Sequence, residues 1–471
     1  MVEEKWRSYE GQGNGIKVLK EKFKLLKADL KIWNKDVFGN LNSTKQSILQ
    51  DIENLDCQDS HECLEESQRK LRSDLVRRLW ENDAKIESLL RQKARTNWLR
   101  YDDSCTRFFH SSLRWRRPRN EVKGVEVGGL WCEEPCTVRL EAKKLFESRF
   151  KATKDFGVRL DAVEFKSLSL DVSLSMIEAF SEEEIKEAVW QCEGTKSPGP
   201  DGFNFNFIKK SWNSLKTDFV AALECFHEIG IIPKGCNASF IALVPKIRDP
   251  CNLNQYRPIS IVGAMYKVIS KVLAGRIKKV LPALIDGSQS AFIEGRGLTD
   301  SVLLANEVIL YIRRRRKRGL CLKVDFEKAY DSVRWDFLYD MLSRLGFHSV
   351  WIKWIRGCLE SATISVLVNG SPTEEFQPTR GLRQGDPMAP FLFMSGVKVG
   401  NKEVEVSFLQ FADDTLFFCE ESWSNVVIMK SILRGFELAS GLKINFHKSR
   451  LAGVNVQPNN LLCYSKFLNC N

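Results

Sequence analysis

The chain has 471 residues, 43% of them hydrophobic, and a net charge of +11; that length exceeds one small core and indicates two or three domains. No apolar run approaches a membrane span, so no membrane partner is expected, and Met1-Val2-Glu3-Glu4-Lys5-Trp6 lacks the basic-then-apolar layout of a secretory leader. The fourteen cysteines are scattered and the five histidines do not cluster, so the thiols read as small reduced hydrophobes of an intracellular protein and no zinc centre is expected.

Residues 1 to about 120 read as a helical, basic N-terminal extension. Leu19, Phe23, Leu26, Leu30 and Trp33 recur at three- and four-residue steps, as do Leu71, Leu75, Leu79, Asn82 and Ile86, which gives each helix one apolar stripe. Between Lys85 and Arg119 ten Lys or Arg face three acids. That cluster suits a polyanion or a solvated helix face, and Trp98, Phe108, Phe109 and Trp115 within it suit base stacking or core packing. Pro118 ends the helical pattern. Val122 to Trp131, with Gly128-Gly129 inside, predicts a β-hairpin, and Val138 to Phe150 a short amphipathic helix. The region 121–195 thus reads as hairpin, helix and then a linker over 151 to 175. Ser181 before Glu182-Glu183-Glu184 predicts a capped helix start, and Ser197-Pro198-Gly199-Pro200-Asp201-Gly202 a rigid loop.

From residue 239 strands and helices alternate. Ser239 to Pro245 and Tyr256 to Ser260 predict strands; helices are expected over about 265–281, 300–311, 333–345 and 350–358. Arg313 to Arg318 is a basic run that suits a polyanion or a nuclear-localisation patch. Thr363 to Val368 and Glu375 to Gln377 frame a hairpin around Asn369-Gly370. Hairpins mixed with helices indicate an α+β fold rather than a doubly wound sheet.

The chemistry concentrates at Phe411-Ala412-Asp413-Asp414, two adjacent carboxylates between strand-like runs, hence at the tip of a β-hairpin. A third carboxylate, Asp325, lies in the buried-strand pattern Cys321 to Phe326. Charge gathered this way calls for a partner, and a divalent metal is the usual one. Three carboxylates from two strands are what a two-metal phosphoryl-transfer site needs.

In order along the chain, Ser197 to Gly202, Leu243-Val244-Pro245-Lys246, Tyr256-Arg257-Pro258-Ile259-Ser260, Asp325 to Asp331, Gly381-Leu382-Arg383-Gln384-Gly385-Asp386-Pro387, Phe411 to Asp414 and Gly441-Leu442-Lys443-Ile444-Asn445 resemble the reverse-transcriptase core of LINE-type (non-LTR) retrotransposons, particularly the plant kind. The resemblance covers roughly residues 196 to 455. Trp98-Leu99, Asp102, Thr106 and Phe108-Phe109-His110 also look like the segment that follows the endonuclease in plant elements.

The resemblance implies a right-hand polymerase with fingers over 196–320 and palm over 321–455. It implies RNA-directed DNA polymerisation from dNTPs on an RNA template and a DNA primer, in the nucleus. Asp325, Asp413 and Asp414, with the carbonyl of Phe326, would hold two Mg²⁺ ions, which Mn²⁺ can replace. Lys246 and Arg257 would grip the triphosphate, and Tyr330 would exclude a ribose 2′-hydroxyl. Gln384 and Gly385 would support the template, Asp386 and Pro387 would start the next helix, and Asp331 would cap one. Lys448 would protonate the pyrophosphate.

The chain departs from that family where Phe391-Leu392-Phe393-Met394 runs directly into Ser395-Gly396-Val397-Lys398-Val399-Gly400. A long palm-covering helix is expected there, and one turn at best is expected to remain; losing three or four buried apolar side chains costs about 6–8 kcal/mol. With no endonuclease pattern before residue 1 and residues 456–471 reading as a truncated tail, the chain resembles one cut at both ends. The rival readings are a catalytically dead remnant that only binds nucleic acid, and a group II intron maturase, for which a basic helical segment after the palm is expected. The oligomeric state is not legible.

Overall fold

Residues 1–59, 65–94, 120–152, 158, 165–285, 287–396, 407–411 and 414–470 are described by the computed structural model. Helix α1 (Val2–Ser8) leads into α2 (Gly15–Trp33), which Asn14 caps by accepting a hydrogen bond from the Lys17 amide. Ile16, Leu19, Phe23 and Leu26 form the buried stripe of α2, whereas Trp33, at its far end, is exposed. α3 (Leu41–Asp59) and α4 (Glu66–Ala94) pack together through Ile48, Leu75 and Leu90, with the Asn82 amide donating to the Leu41 carbonyl at 3.0 Å. Leu71, expected on that stripe, is exposed, because near the connecting loop α3 offers Asp56, paired to Arg72 at 2.6 Å, rather than an apolar partner.

Strands β1 (Val125–Val127) and β2 (Leu130–Cys132) form the expected hairpin across Gly128-Gly129. α5 (Pro135–Arg149) begins before its apolar stripe because Glu134 caps it and proline fits a first helical turn. Within the expected linker a short helix forms, α6 (Leu170–Ser175), and the Leu168 amide donates to the Leu345 carbonyl at 2.9 Å. Ser181 caps α7 (Glu182–Trp190) through the Glu184 amide. α8 (Phe205–Lys210) and α9 (Trp212–Ile229) follow, and α2 lies along α9.

β3 (Ala238–Pro245) and β4 (Tyr256–Val262) make an antiparallel pair, after which come α10 (Ala264–Leu284) and α11 (Leu298–Arg314). The half-buried Asp201 carboxylate accepts the Ala264 amide, so the Ser197–Gly202 loop is fastened to the start of α10. β5 (Gly319–Val324) precedes three helices, α12 (Ala329–Ser332), α13 (Trp335–Arg344) and α14 (Ser349–Glu360). β6 (Thr363–Val368) turns at Asn369-Gly370 into β7 (Ser371–Pro372). The return arm therefore starts earlier than expected, and Phe376 adds a single bridge to Ile364; Pro372 has no amide to extend the ladder.

α15 (Ala389–Gly396) corrects the expectation of one turn at best. It is an eight-residue helix that buries Leu392, Phe393 and Met394, since its apolar residues fill the space between α10 and α13. β8 (Ser407–Phe411) and β9 (Asp414–Glu420) form the expected hairpin, followed by α16 (Trp423–Ser440) and β10 (Arg450–Val454). Residues beyond 456 include a helix, α17 (Pro458–Leu468), whose Tyr464 and Leu468 are buried.

One sheet has the order β4-β3-β6-β7 and the other β10-β5-β9-β8. The second is antiparallel throughout, with Val324 opposite Thr415 and Leu322 opposite Phe417. Its alternation is strict. Leu322, Val324 and Phe417 join the main core, while Cys321, Leu409, Leu416 and Phe418 meet Ala305, Val308 and Ile309 of α11 on the other face. The main core is continuous from Trp6 to Leu468, so α2 packs with residues 170–285 even though the sequence reading grouped it with a separate extension. Helices combined with mostly antiparallel sheets give the α+β architecture indicated by the sequence.

Candidate active site

Asp325 follows β5 directly and Asp414 opens β9. These strands pair up to Val324 and Thr415, so the two carboxylates lie one step beyond the last rung. By alternation both project on the Cys321–Leu416 face. Asp414 is exposed and is held by Lys323 at 3.0 Å. Asp413 lies outside the described residues, as do Ala412, the helix-replacing segment 397–406, and Trp98, Leu99, Asp102, Thr106, Phe108, Phe109, His110, Trp115 and Pro118. Among the described residues no three His, Cys, Asp or Glu side chains gather for a metal.

The segment after α16 is sewn to this strand end. The Asn445 amide donates to the Asp325 carbonyl at 2.8 Å, and the Glu327 amide donates to the Lys443 carbonyl at 2.7 Å. The Asp325 amide donates to Ser449 Oγ at 3.2 Å. Phe326 bridges Ile444 between those two backbone bonds, so its own carbonyl points away from the segment. Lys448 is carried next to the acids as a result. The donor set of two carboxylates and a backbone carbonyl is hard oxygen, the chemistry that suits Mg²⁺.

A cluster of cations gathers around Lys246 and includes Lys448. Lys246 and Arg257 project from the same side of the β3–β4 pair, with Arg257 opposite Val244. The Lys246 ammonium donates to the Asn254 carbonyl at 3.1 Å. Asn254 Oδ1 also accepts from Arg149 and from Lys328, each at 3.0 Å. The Lys246 ammonium is pulled below the ordinary lysine range, first by burial and then by Arg149, Lys448 and Arg257, with Asp331 opposing. Lys328 is pulled down by burial and then by Arg149. Lys246 and Lys328, lowered by burial and then by neighbouring cations, sit in a surplus of positive charge that a polyphosphate would neutralise.

Arg149 is the residue the sequence reading missed. It is buried, pairs with buried Asp331 at 3.4 Å and lies over the Phe146 ring at 4.4 Å. Burial pushes the Asp331 carboxyl up, and Arg149 and Lys328 pull it back. The signal was present, since Arg149 continues the buried stripe Val138, Ala142 and Phe146, where a charge demands a partner. Asp331 is also a correction: it does not cap α13, whose cap position is Arg334, but sits inside α12 as the counter-ion of Arg149.

The loop at 381–387 docks on β4. The Ser260 amide donates to the Gln384 carbonyl at 2.7 Å. Gly385 has φ +105°, and a Cβ there would lie 2.9 Å from the Ser260 carbonyl, so only glycine fits. Asp386 accepts the Met388 amide at 3.1 Å, as expected of a helix start, and also pairs with Arg383 at 3.1 Å. Tyr330 accepts the Leu382 amide at its carbonyl at 2.7 Å, and its ring stacks on Phe393 of α15 at 4.8 Å. The structure thus brings Asp325, Asp414, Lys246, Arg257 and Lys448 to one region, with Gln384 and Gly385 at its β4 edge and Tyr330 between loop and α15.

Residues 244–460 match the family model described as reverse transcriptase (RNA-dependent DNA polymerase), a family that uses divalent metal ions. The chain is similar to the transposon TX1 uncharacterized 149 kDa protein of Xenopus laevis, 25% identical over 74% of this chain and 28% of that one. It is also similar to the Pol polyprotein of the type-2 retrotransposable element R2DM of Drosophila melanogaster, 24% identical over 62% of this chain and 28% of that one. The chain thus spans little more than a quarter of the length of either relative. Among solved structures, apo telomerase from Candida tropicalis overlays with a TM-score of 0.36 and 14% identity, over 54% of this chain and 57% of that one. The ordered motifs, the acids at paired strand ends and the match over residues 244–460 agree: this chain carries a reverse transcriptase domain of the non-LTR retrotransposon kind.

Proposed function

We propose that this chain is an RNA-directed DNA polymerase of a plant LINE-type element, acting in the nucleus and joining dNTPs to a DNA primer 3′-hydroxyl on an RNA template. The observation that carries the reading is that Asp325 and Asp414 lie at paired strand ends, while Lys448, beside the Ser449 that binds the Asp325 amide, also stands among Lys246, Arg257 and Arg149. Asp325, Asp414, the Phe326 carbonyl and Asp413 would hold two Mg²⁺ ions, or Mn²⁺ in their place, which would supply charge neutralisation at the reacting phosphate. Lys246 and Arg257 bind the triphosphate and orient it toward the acids. Lys448 stands ready to donate a proton to the departing pyrophosphate. Tyr330 shapes the sugar pocket, and the 381–387 loop seats the template base.

The test is primer extension on poly(rA)·oligo(dT) with dTTP and Mg²⁺. Incorporation supports the polymerase. Salt-dependent RNA binding by folded protein without incorporation assigns the chain instead to a nucleic-acid-binding remnant.

A further inference from the structure

Helix α2 has a second stripe beside its buried one. Lys17, Lys20, Lys24, Lys27 and Lys31 recur at steps of three, four, three and four residues, so their side chains share one face. The row runs about 21 Å along the helix. Lys17, Lys20, Lys24 and Lys31 are exposed; Lys27 is half-buried and donates to the Pro200 carbonyl at 3.3 Å. The row contains one acid, Glu21, four residues after Lys17 and three before Lys24, and so remains strongly positive. Asp29 projects elsewhere and is engaged by Tyr9 at 2.8 Å and Lys5 at 3.2 Å.

The row borders a cleft of about 240 Å³, lined among others by Lys20, Lys24, Lys27, Pro200, Met265 and Tyr266. The cleft connects physically to the site. The Tyr266 hydroxyl donates to Asp386 at 2.5 Å, and the Arg383 guanidinium lies over the Tyr266 ring at 4.0 Å. Both partners belong to the loop that seats the template in the reading above.

We propose that the α2 lysine row is a phosphate track for single-stranded RNA, carrying the template toward the 381–387 loop. Five regularly spaced ammonium groups with a single interleaved acid leave a net positive row that matches a strand's evenly repeated phosphates, and the cleft beside them accommodates an unstacked base. A membrane surface is a poorer fit, because an interfacial helix presents apolar side chains beside its cations. Here the neighbouring apolar stripe is buried against α9. Naming the occupant as template rests on the polymerase reading; the presence of an RNA track does not.

The experiment measures binding of a fluorescent oligo(rU) strand to the full chain across a salt series, comparing wild type with K17Q/K20Q/K24Q/K31Q. Lys27 is left intact because it fastens the 197–202 loop. The variant is expected to make the slope of log affinity against log salt shallower by about 3, since each lost phosphate contact removes about 0.7. Its affinity should fall at least about tenfold at moderate salt. K20Q/K24Q, which disturbs the surface less, should give about half the slope change. Unchanged slope and affinity in folded variants overturn the track. So does a variant that loses binding to phosphatidylserine vesicles while keeping its RNA affinity. Because binding needs no turnover, a chain inert in primer extension that shows the slope change keeps the track, and an active chain with an unchanged slope loses it alone.

Discussion

At the scale of single residues, the buried Arg149–Asp331 pair joins a helix outside the matched region to the residue next to Tyr330. Removing one partner of a buried pair leaves the other charge uncompensated, at a cost of about 3–5 kcal/mol. Arg149→Ala should therefore lower the urea midpoint by an amount that Arg149→Lys partly restores. Arg149→Ala in Asp331→Asn should cost less than Arg149→Ala alone, and equal costs in both backgrounds would remove the coupling. The motif residues were legible because their spacing is short and local: Asp325, Lys246 and Gly385 each sit in a recognisable run. For Arg149 the stripe signals only that a partner is needed; which partner is not legible, because Asn254 and Asp331 are 105 and 182 residues away and no local pattern records that pairing.

At the scale of elements, α15 illustrates what a sequence comparison conceals. A helix expected to shrink to one turn keeps eight residues, because Phe391 to Met394 still find apolar neighbours. Phe393 is wholly buried and supports the Tyr330 ring. Phe393→Ala should cost about 3–5 kcal/mol in unfolding experiments. In protein that remains folded it should raise rNTP incorporation relative to dNTP; unchanged sugar selectivity would detach α15 from the gate. Strand order was not legible either, since β3 pairs in parallel with β6 across two intervening strands and several helices.

α5 gives a pH prediction at the same scale. Hydrogen bonds from Thr137, then from the Cys136 amide, hold the Glu134 carboxyl down at about 2, below its ordinary value of 4.5. A depressed acid stabilises the folded state fully above its unfolded value and loses that contribution as pH falls toward the folded one. Wild type should thus lose more stability than Glu134→Gln between pH about 5 and about 3. Parallel losses in urea midpoints would show that the cap does not titrate in this window.

At the scale of the molecule, the continuous core from Trp6 to Leu468 makes α2 part of the domain's stability. Phe23 is buried against Phe203 and Phe219, and Phe23→Ala should cost about 3–5 kcal/mol. Far-UV circular dichroism and tryptophan fluorescence should shift together, as for one cooperative unit. A separate early transition for α2 would contradict the shared core. The same packing sets the lysine row beside the cleft lined by Tyr266, whose hydroxyl donates to Asp386, so stability and the proposed template path depend on one helix.

The central claim is that the acids at the β5 and β9 ends perform nucleotidyl transfer. Asp325→Asn and Asp414→Asn keep the side-chain shape while removing the charge, and Asp414 is exposed enough that folding should be unaffected. The decisive measurement is dTTP incorporation on poly(rA)·oligo(dT) by wild type and by each variant at matched RNA occupancy. Wild type should incorporate dTTP, and either variant should lose at least about 100-fold with RNA binding retained. Incorporation by wild type that survives both substitutions would contradict it.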